Sequence, residues 1–237
     1  MVYNRIVNNK KPLIAVLIDP ENYTKSSMFK TLEICEKTNV SLIFLGGSIV
    51  SNFVQDIANL IKQYTKIPLV LFPGSLMQIT QYADAILLLS LISGRNPELL
   101  IGNHVVSAKF LKNSGLEIIP TGYILIDCGH ISAVQYISNT LPIPSDKTDL
   151  IISTALAGQL LGLKCIYLEA GSGSPNAIPS KIIKDVKKEI DIPIIIGGGI
   201  KQTKHIEEYC NAGVDVIVIG NSVENDPNKL YELLKIF

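Results

Sequence analysis

The chain has 237 residues, of which 47% are hydrophobic and only 18% charged, enough for one large buried core and too apolar for a disordered polypeptide. Its 21 basic and 21 acidic residues cancel, so no net field draws it to nucleic acid or to an anionic membrane surface. Any phosphate it binds must be caught locally.

Taken in chain order, eight short apolar runs occur at residues 13–18, 42–45, 69–72, 85–89, 117–119 with 122–126, 165–168, 194–196 and 216–219. Continuous Ile/Val/Leu runs, rather than alternating ones, mark parallel strands buried on both faces. Helical patterns lie at 28–38, 51–64, 97–113, 148–162, 181–190 and 204–212, with a last one at 227–236. Strand alternating with helix predicts a parallel α/β fold, and a count of eight favours a closed (β/α)8 (TIM) barrel, one domain over residues 1–237.

Two units are irregular. Residues 73–82 are too few for a crossover helix, so a loop or single turn is expected, leaving a gap in the helical ring after the third strand. Residues 128–145 form an apolar, proline-containing excursion after the fifth, and long loops on the carboxyl side of a barrel usually serve function.

Cys35, Cys128, Cys165 and Cys210 show no C-x-x-C spacing and sit in or beside apolar stretches, as reduced core residues do. His104, His130 and His205 are too isolated for zinc spacing. Residues 1–11 hold no signal-peptide core, and no stretch approaches the ~20 apolar residues of a membrane span. A soluble cytoplasmic protein is expected. Apolar residues on helix faces point to a homo-oligomer of undetermined order.

Barrel active sites lie at the carboxyl ends of the strands. Here those ends carry Asp19-Pro20, Gly46-Gly47-Ser48, Pro73-Gly74-Ser75, Ser90, Glu169-Ala170-Gly171-Ser172-Gly173, Gly197-Gly198-Gly199 and Gly220-Asn221. Glycine lets backbone N–H groups approach an anion closely, and each following helix adds its positive end. The clusters after the sixth, seventh and eighth runs therefore read as a phosphate grip; the competing reading is tight turns alone. Asp19 at such a mouth would repel a phosphate unless a cation intervenes. Mg²⁺ bridges carboxylate and phosphate, with Ser48 as a further oxygen ligand; the alternative for Asp19 is an N-cap or turn residue. Glu169 can accept a hydrogen bond from a polyol and make its hydroxyl a better nucleophile, with Tyr167 on the same ligand; the alternative is a helix-capping Glu beside a core Tyr. Lys201, Arg95 and His104 read as surface or helix-face residues. No Ser–His–acid arrangement, P-loop or dinucleotide fingerprint is present.

Together Leu17-Ile18-Asp19-Pro20, Phe44-Leu45-Gly46-Gly47-Ser48, Phe72-Pro73-Gly74-Ser75, Tyr167-Leu168-Glu169-Ala170-Gly171-Ser172-Gly173, Ile196-Gly197-Gly198-Gly199-Ile200 and Ile219-Gly220-Asn221 resemble the geranylgeranylglyceryl phosphate synthase family, which includes bacterial heptaprenylglyceryl phosphate synthases. The segment from Tyr167 to Gly173 is specific, whereas the triple glycine is common to many phosphate barrels. The stretch 89–97 most resembles the family's second group.

The resemblance implies a prenyltransferase. It would join the C3 hydroxyl of sn-glycerol 1-phosphate to a polyprenyl diphosphate, geranylgeranyl diphosphate first among donors, releasing pyrophosphate and making an ether-lipid precursor destined for the membrane. It implies Mg²⁺ on Asp19 and Ser48, and glycerol phosphate on Tyr167, Leu168, Glu169, Ala170, Gly171, Ser172, Gly173, Gly198, Gly199, Gly220 and Asn221. Asp19 and Glu169 would be catalytic, and the barrel would be a modified one lacking the helix after strand three. Residues 86–92 and 131–143 are candidate lining for a prenyl groove. The glycine loops alone also permit a phosphosugar isomerase or a flavin-phosphate oxidoreductase, or a non-catalytic binder of a phosphate ligand. An isomerase would normally show a second acid/base residue at another strand end, and simple binding needs no metal-plus-carboxylate pair.

Overall fold

Each continuous apolar run serves two faces at once, and the computed structural model, which describes residues 1–50 and 53–237, shows how. The strands are β1 Leu13–Ile18, β2 Leu42–Leu45, β3 Leu69–Leu71, β4 Ala85–Leu91, β5 Glu117–Asp127, β6 Ile143–Pro144, β7 Cys165–Glu169, β8 Ile194–Gly197 and β9 Val216–Ile219. All pair in parallel, from β4 through β3, β2, β1, β9, β8 and β7 to β5, and a β4–β5 pairing closes the ring of eight. The two-residue β6 lies outside that ring, paired to the end of β5.

Alternate residues enter the interior. Leu13 and Ala15, Leu42 and Phe44, Ala85 and Leu87, Cys165 and Tyr167, and Val216 and Val218 form one buried cluster. Their neighbours Ile14, Val16, Ile43, Leu45, Ile86, Ile166, Leu168, Ile217 and Ile219 belong to a second cluster with the helices. A one-residue slip of any strand would exchange its two faces, which fixes register and hence the aim of whatever follows each strand.

Helices α1 Val2–Asn8, α2 Lys25–Lys37, α3 Val54–Tyr64, α4 Asn103–Asn113, α5 Ala133–Ser138, α6 Thr148–Leu160, α7 Ser180–Glu189, α8 Thr203–Ala212, α9 Asn221–Glu224 and α10 Lys229–Leu233 complete the chain. The α2 helix starts three residues before the expected position because Thr24 and Ser27 form a reciprocal capping box: Thr24 Oγ1 accepts from Ser27 N at 3.1 Å, and Ser27 Oγ from Thr24 N at 3.0 Å. In α7, Ile182, Ile183 and Val186 are spaced to share one buried face. The expected start of the third helix, Ser51 and Asn52, lies outside the described residues. The 97–113 pattern divides into a π-helical stretch, Glu98–Gly102, and α4.

The gap after β3 is as expected, filled only by one 3-10 turn, Leu76–Gln78. By contrast, the broken fifth run is one continuous strand: Pro120 donates nothing, but its carbonyl accepts from Lys164 N at 2.7 Å. The excursion after β5 is also more ordered than a loop, since it holds α5 and β6.

The floor of the barrel is α1, which the sequence pattern did not reveal. Val2 and Ile6, one turn apart, enter the interior cluster. The N–H groups of Val2 and Tyr3 donate to the Glu117 carboxylate, the latter at 3.0 Å, satisfying donors that a helix start leaves open. One device recurs on the same side. Asp84 Oδ2 accepts from Leu69 N and Lys62 Nζ, and Asp215 Oδ2 from Ile194 N and Lys187 Nζ, all at 2.7 Å. Each aspartate ties the first residue of the preceding strand and the helix before that strand to the start of its own.

Candidate active site

The pleat carries functional side chains into the mouth. Leu13, Ala15 and Leu17 pack with the interior cluster, so Asp19, two residues further, continues on that face; Cys165 and Tyr167 do the same for Glu169. On β8 and after β9 the corresponding interior positions are Gly197 and Gly220, which place no side chain there. A Cβ at Gly197 would lie 2.2 Å from the Tyr167 hydroxyl. Asp19 and Glu169 thus line one cavity of about 770 Å³.

Glu169 is 7% exposed. Burial pushes its carboxyl up to about 7, opposed by hydrogen bonds from Gly171 N, at 2.6 Å, and from the hydroxyls of Tyr123 and Tyr167. Below it the aromatic rings pack across the interior, Phe72 stacked on Tyr167 at 4.9 Å and Tyr123 at 5.3 Å from Tyr167. A carboxylate poised near neutrality, with two phenols fixing its orientation, is suited to accepting a proton from a hydroxyl. The core reading of Tyr167 holds, and its hydroxyl also donates to Glu169 at the cavity. The capping reading of Glu169 does not hold: the next helix begins only at Ser180.

The phosphate-type loops surround this carboxylate. Gly198 has φ +85°, and a Cβ there would sit 2.7 Å from Glu169 Oε1; at Gly199, φ +70°, it would sit 2.2 Å from the Asn176 carbonyl. Only glycine fits either place. Asn221 Oδ1 accepts from Ser172 Oγ and Gly173 N, both at 2.8 Å, bracing the β7 loop against the β9 loop. His130 Nε2 lies 3.1 Å from the Ser172 carbonyl, and Asn176 donates to the Cys128 carbonyl at 3.0 Å, tying the excursion to the same loop. Tyr167, Glu169, Ser172, Gly173, Gly198, Gly199, Gly220 and Asn221 all line the cavity. Leu168, Ala170 and Gly171 do not: Leu168 and Ala170 pack in the cluster shared with the helices, so only their backbone is available to a ligand.

Across the mouth, burial raises the Asp19 carboxyl. The N–H of Glu21, donating at 3.1 Å, opposes this, and the charges of Glu224 and Glu21 add to it. The turn reading of Asp19 is realised in the Glu21 N–H bond, and its carboxylate also lines the cavity. A Cβ at Gly47 would lie 2.4 Å from Asp19 Oδ2, so the β2 loop reaches the carboxylate only as glycine. Gln78, 2% exposed, clamps that loop: its Oε1 accepts from Gly47 N and Gly74 N at 3.2 Å each, and its Nε2 donates to the Gly47 carbonyl at 2.7 Å. Ser48 lines the cavity with Asp19. Among the described residues no group of three or more His, Cys, Asp or Glu side chains could hold a metal. One carboxylate and one hydroxyl oxygen are a partial donor set, matching a hard cation that draws its remaining ligands from water and substrate phosphate.

From the mouth the cavity runs into the gap beside β4. Ile86 and Leu88, which face the helical layer, line it with Ile79, Leu99, Val134 and Ile137. Of the 131–143 stretch, Ala133, Val134, Ile137 and Ser138 line the cavity, whereas Ile131 and Leu141 do not. Ser90 is not at the mouth and does not line the cavity; it belongs to β4, and its hydroxyl lies 3.0 Å from Nε2 of His104 on α4, which does line it. Tyr123 and Gln78 are the site residues that motif reading missed, the first hidden by the proline-interrupted run, the second a lone glutamine in a short connection. No helix of the described residues is long and apolar enough to cross a membrane.

The PcrB family model matches residues 4–236. The geranylgeranylglyceryl phosphate synthase of Chitinophaga pinensis is 46% identical over 98% of this chain and 94% of its own length. That of Pyrococcus abyssi is 39% identical over 95% and 89%. The crystal structure of (S)-3-O-geranylgeranylglyceryl phosphate synthase from Thermoplasma acidophilum, in complex with sn-glycerol-1-phosphate, superposes with a TM-score of 0.92 at 32% identity, covering 99% of this chain and 95% of that one. An N-acetylmannosamine-6-phosphate 2-epimerase from Clostridium perfringens, TM-score 0.61 at 13% identity, shares the fold alone.

Proposed function

The chain belongs to the PcrB family, and on that premise we propose that it joins sn-glycerol 1-phosphate to a polyprenyl diphosphate, geranylgeranyl diphosphate being the donor its relatives' names indicate. The observation that carries this reading is a buried, near-neutral carboxylate, Glu169, between glycine loops and Asp19, in a cavity that continues into an apolar groove.

The glycerol phosphate monoester rests on the loops at Ser172-Gly173, Gly198-Gly199 and Gly220-Asn221, whose backbone supplies N–H donors without repelling charge. Its C3 hydroxyl then faces Glu169. As the hydroxyl oxygen bonds to C1 of the prenyl donor, its proton passes to the Glu169 carboxylate. The C1–O bond of the donor breaks, and its electron pair leaves on the diphosphate. Tyr123 and Tyr167 hold Glu169 in place throughout. Asp19 and Ser48 would hold Mg²⁺, whose contribution is to neutralise charge developing on the departing diphosphate. The prenyl chain lies along Ile86, Leu88, Val134 and Ile137 in the gap after β3. Fixing both reactants side by side can contribute about 7–11 kcal/mol toward the barrier.

Val105, Val106 and Phe110, exposed on α4, support association of copies, and four cysteines without a disulfide suit the cytoplasm. The decisive assay incubates the protein with Mg²⁺, each glycerol phosphate enantiomer and prenyl diphosphates of several lengths, with product masses recorded. An ether-linked prenylglyceryl phosphate from the sn-1 isomer is expected; no product from any donor rejects the reading.

A further inference from the structure

Among the described residues five carboxylates line the cavity, Asp19, Glu21, Glu98, Glu169 and Glu224, but only two ammonium groups, Lys201 and Lys229. That balance is unfavourable for a site that must hold a phosphate and a diphosphate together. The two lysines stand in different places. Lys201 follows the Gly197–Gly199 turn and donates to the Pro175 carbonyl at 3.5 Å, on the monophosphate side. Lys229 opens α10, five residues beyond Glu224, whose charge acts on Asp19. Its ammonium forms no ion pair or hydrogen bond among the described residues, despite the carboxylates around the same mouth.

We infer that Lys229 is a binding residue for the diphosphate of the prenyl donor, an assignment that rests on the reading of the site given above. Beside Asp19, Glu21 and Glu224, one Mg²⁺ leaves a diphosphate site with a net negative surplus. An exposed ammonium on the rim offsets part of it. Lysine suits that task as a compact charge on a flexible stem, with no fixed geometry demanded.

The test separates this inference from the prenyl-transfer reading. Binding of inorganic pyrophosphate in the presence of Mg²⁺ is measured by calorimetry, without turnover, for the wild-type protein and for Lys229→Gln, Lys229→Arg and the charge control Lys235→Gln. Lys229→Gln is expected to weaken pyrophosphate about tenfold, as loss of one charge-assisted hydrogen bond at a partly exposed site does. It should raise KM for the prenyl diphosphate similarly and leave KM for glycerol phosphate unchanged; Lys229→Arg should restore most of the affinity. Pyrophosphate affinity within twofold of wild type in Lys229→Gln, or an equal loss in Lys235→Gln, overturns the assignment. If pyrophosphate binds in a Lys229-dependent way but no prenyl product forms, the lysine assignment stands and the reading of the reaction falls.

Discussion

The N–H of Gly171 donates to Glu169 Oε1 at 2.6 Å, from two residues further along the same loop. The bond turns the carboxylate back over the glycine loops, while burial holds its carboxyl at about 7. The unprotonated form is the one that accepts a proton, so kcat/KM is expected to rise with pH up to about 7 and to level off above it. Glu169→Gln should lower kcat about 10²–10⁴-fold, the usual range for loss of a general base. A flat pH profile across that range would remove Glu169 from the proton transfer. Stability runs the opposite way: the folded carboxyl is raised above its unfolded value, so its contribution is present below the unfolded pKa and lost as pH rises toward 7.

Gly47 carries the second expectation. Its backbone needs no special φ, yet a Cβ would stand 2.4 Å from Asp19 Oδ2. Gly47→Ala should therefore displace the carboxylate rather than unfold the loop, which Gln78 holds by two hydrogen bonds and ties to Gly74 by a third. The Mg²⁺ concentration giving half-maximal activity is expected to rise about tenfold or more, with a fall in Tm of only a few degrees for about 1 kcal/mol lost. An unchanged Mg²⁺ titration would show that Asp19 does not hold the cation.

Much of this was readable beforehand, for a physical reason. Runs such as 194–196 are apolar on every residue because both faces are buried, and the gap after β3 follows from chain length alone. Asp19, Ser48 and Glu169 were legible because strand ends in a barrel converge on one mouth. Within the Tyr167–Gly173 segment, period two turns Leu168 to the outer face, and Ala170 packs in the same cluster, so neither side chain lines the cavity. Tyr123 was hidden by Pro120, which broke the pattern of a strand that the fold keeps continuous. The floor helix α1 buries only Val2 and Ile6, with Tyr3 packed partly against the same cluster, too short an apolar pattern to raise a signal.

Asn221 gives a third expectation. Its Oδ1 accepts from both Ser172 Oγ and Gly173 N, and its Nδ2 donates to Glu224 at 2.9 Å. Asn221→Ala leaves the β7 loop unbraced without touching Asp19. KM for glycerol phosphate should rise roughly tenfold, the scale of one or two lost hydrogen bonds, while KM for the prenyl donor stays put. If both constants move together, the brace serves the whole mouth and not the phosphate loop.

The last expectation concerns α4, which is nearly inside-out. Its buried positions are only Ser107 and Leu111, while Val105 and Val106 are 70% and 71% exposed, with Ile101 and Phe110 on the same outward stretch. A helix presenting more apolar surface to solvent than to its own core loses hydrophobic stabilisation unless another surface covers it. A second copy of the chain satisfies this with no partner of another kind, and closed homo-oligomers are the common solution. Light scattering should then give a mass that is a multiple of 25.9 kDa. Val105→Glu combined with Val106→Glu should reduce that mass to one copy at micromolar concentration, since each buried carboxylate would lack a partner, while the circular dichroism of the barrel is retained. A single-copy mass for the wild-type protein, or an oligomer indifferent to both glutamates, would place the contact elsewhere or deny it.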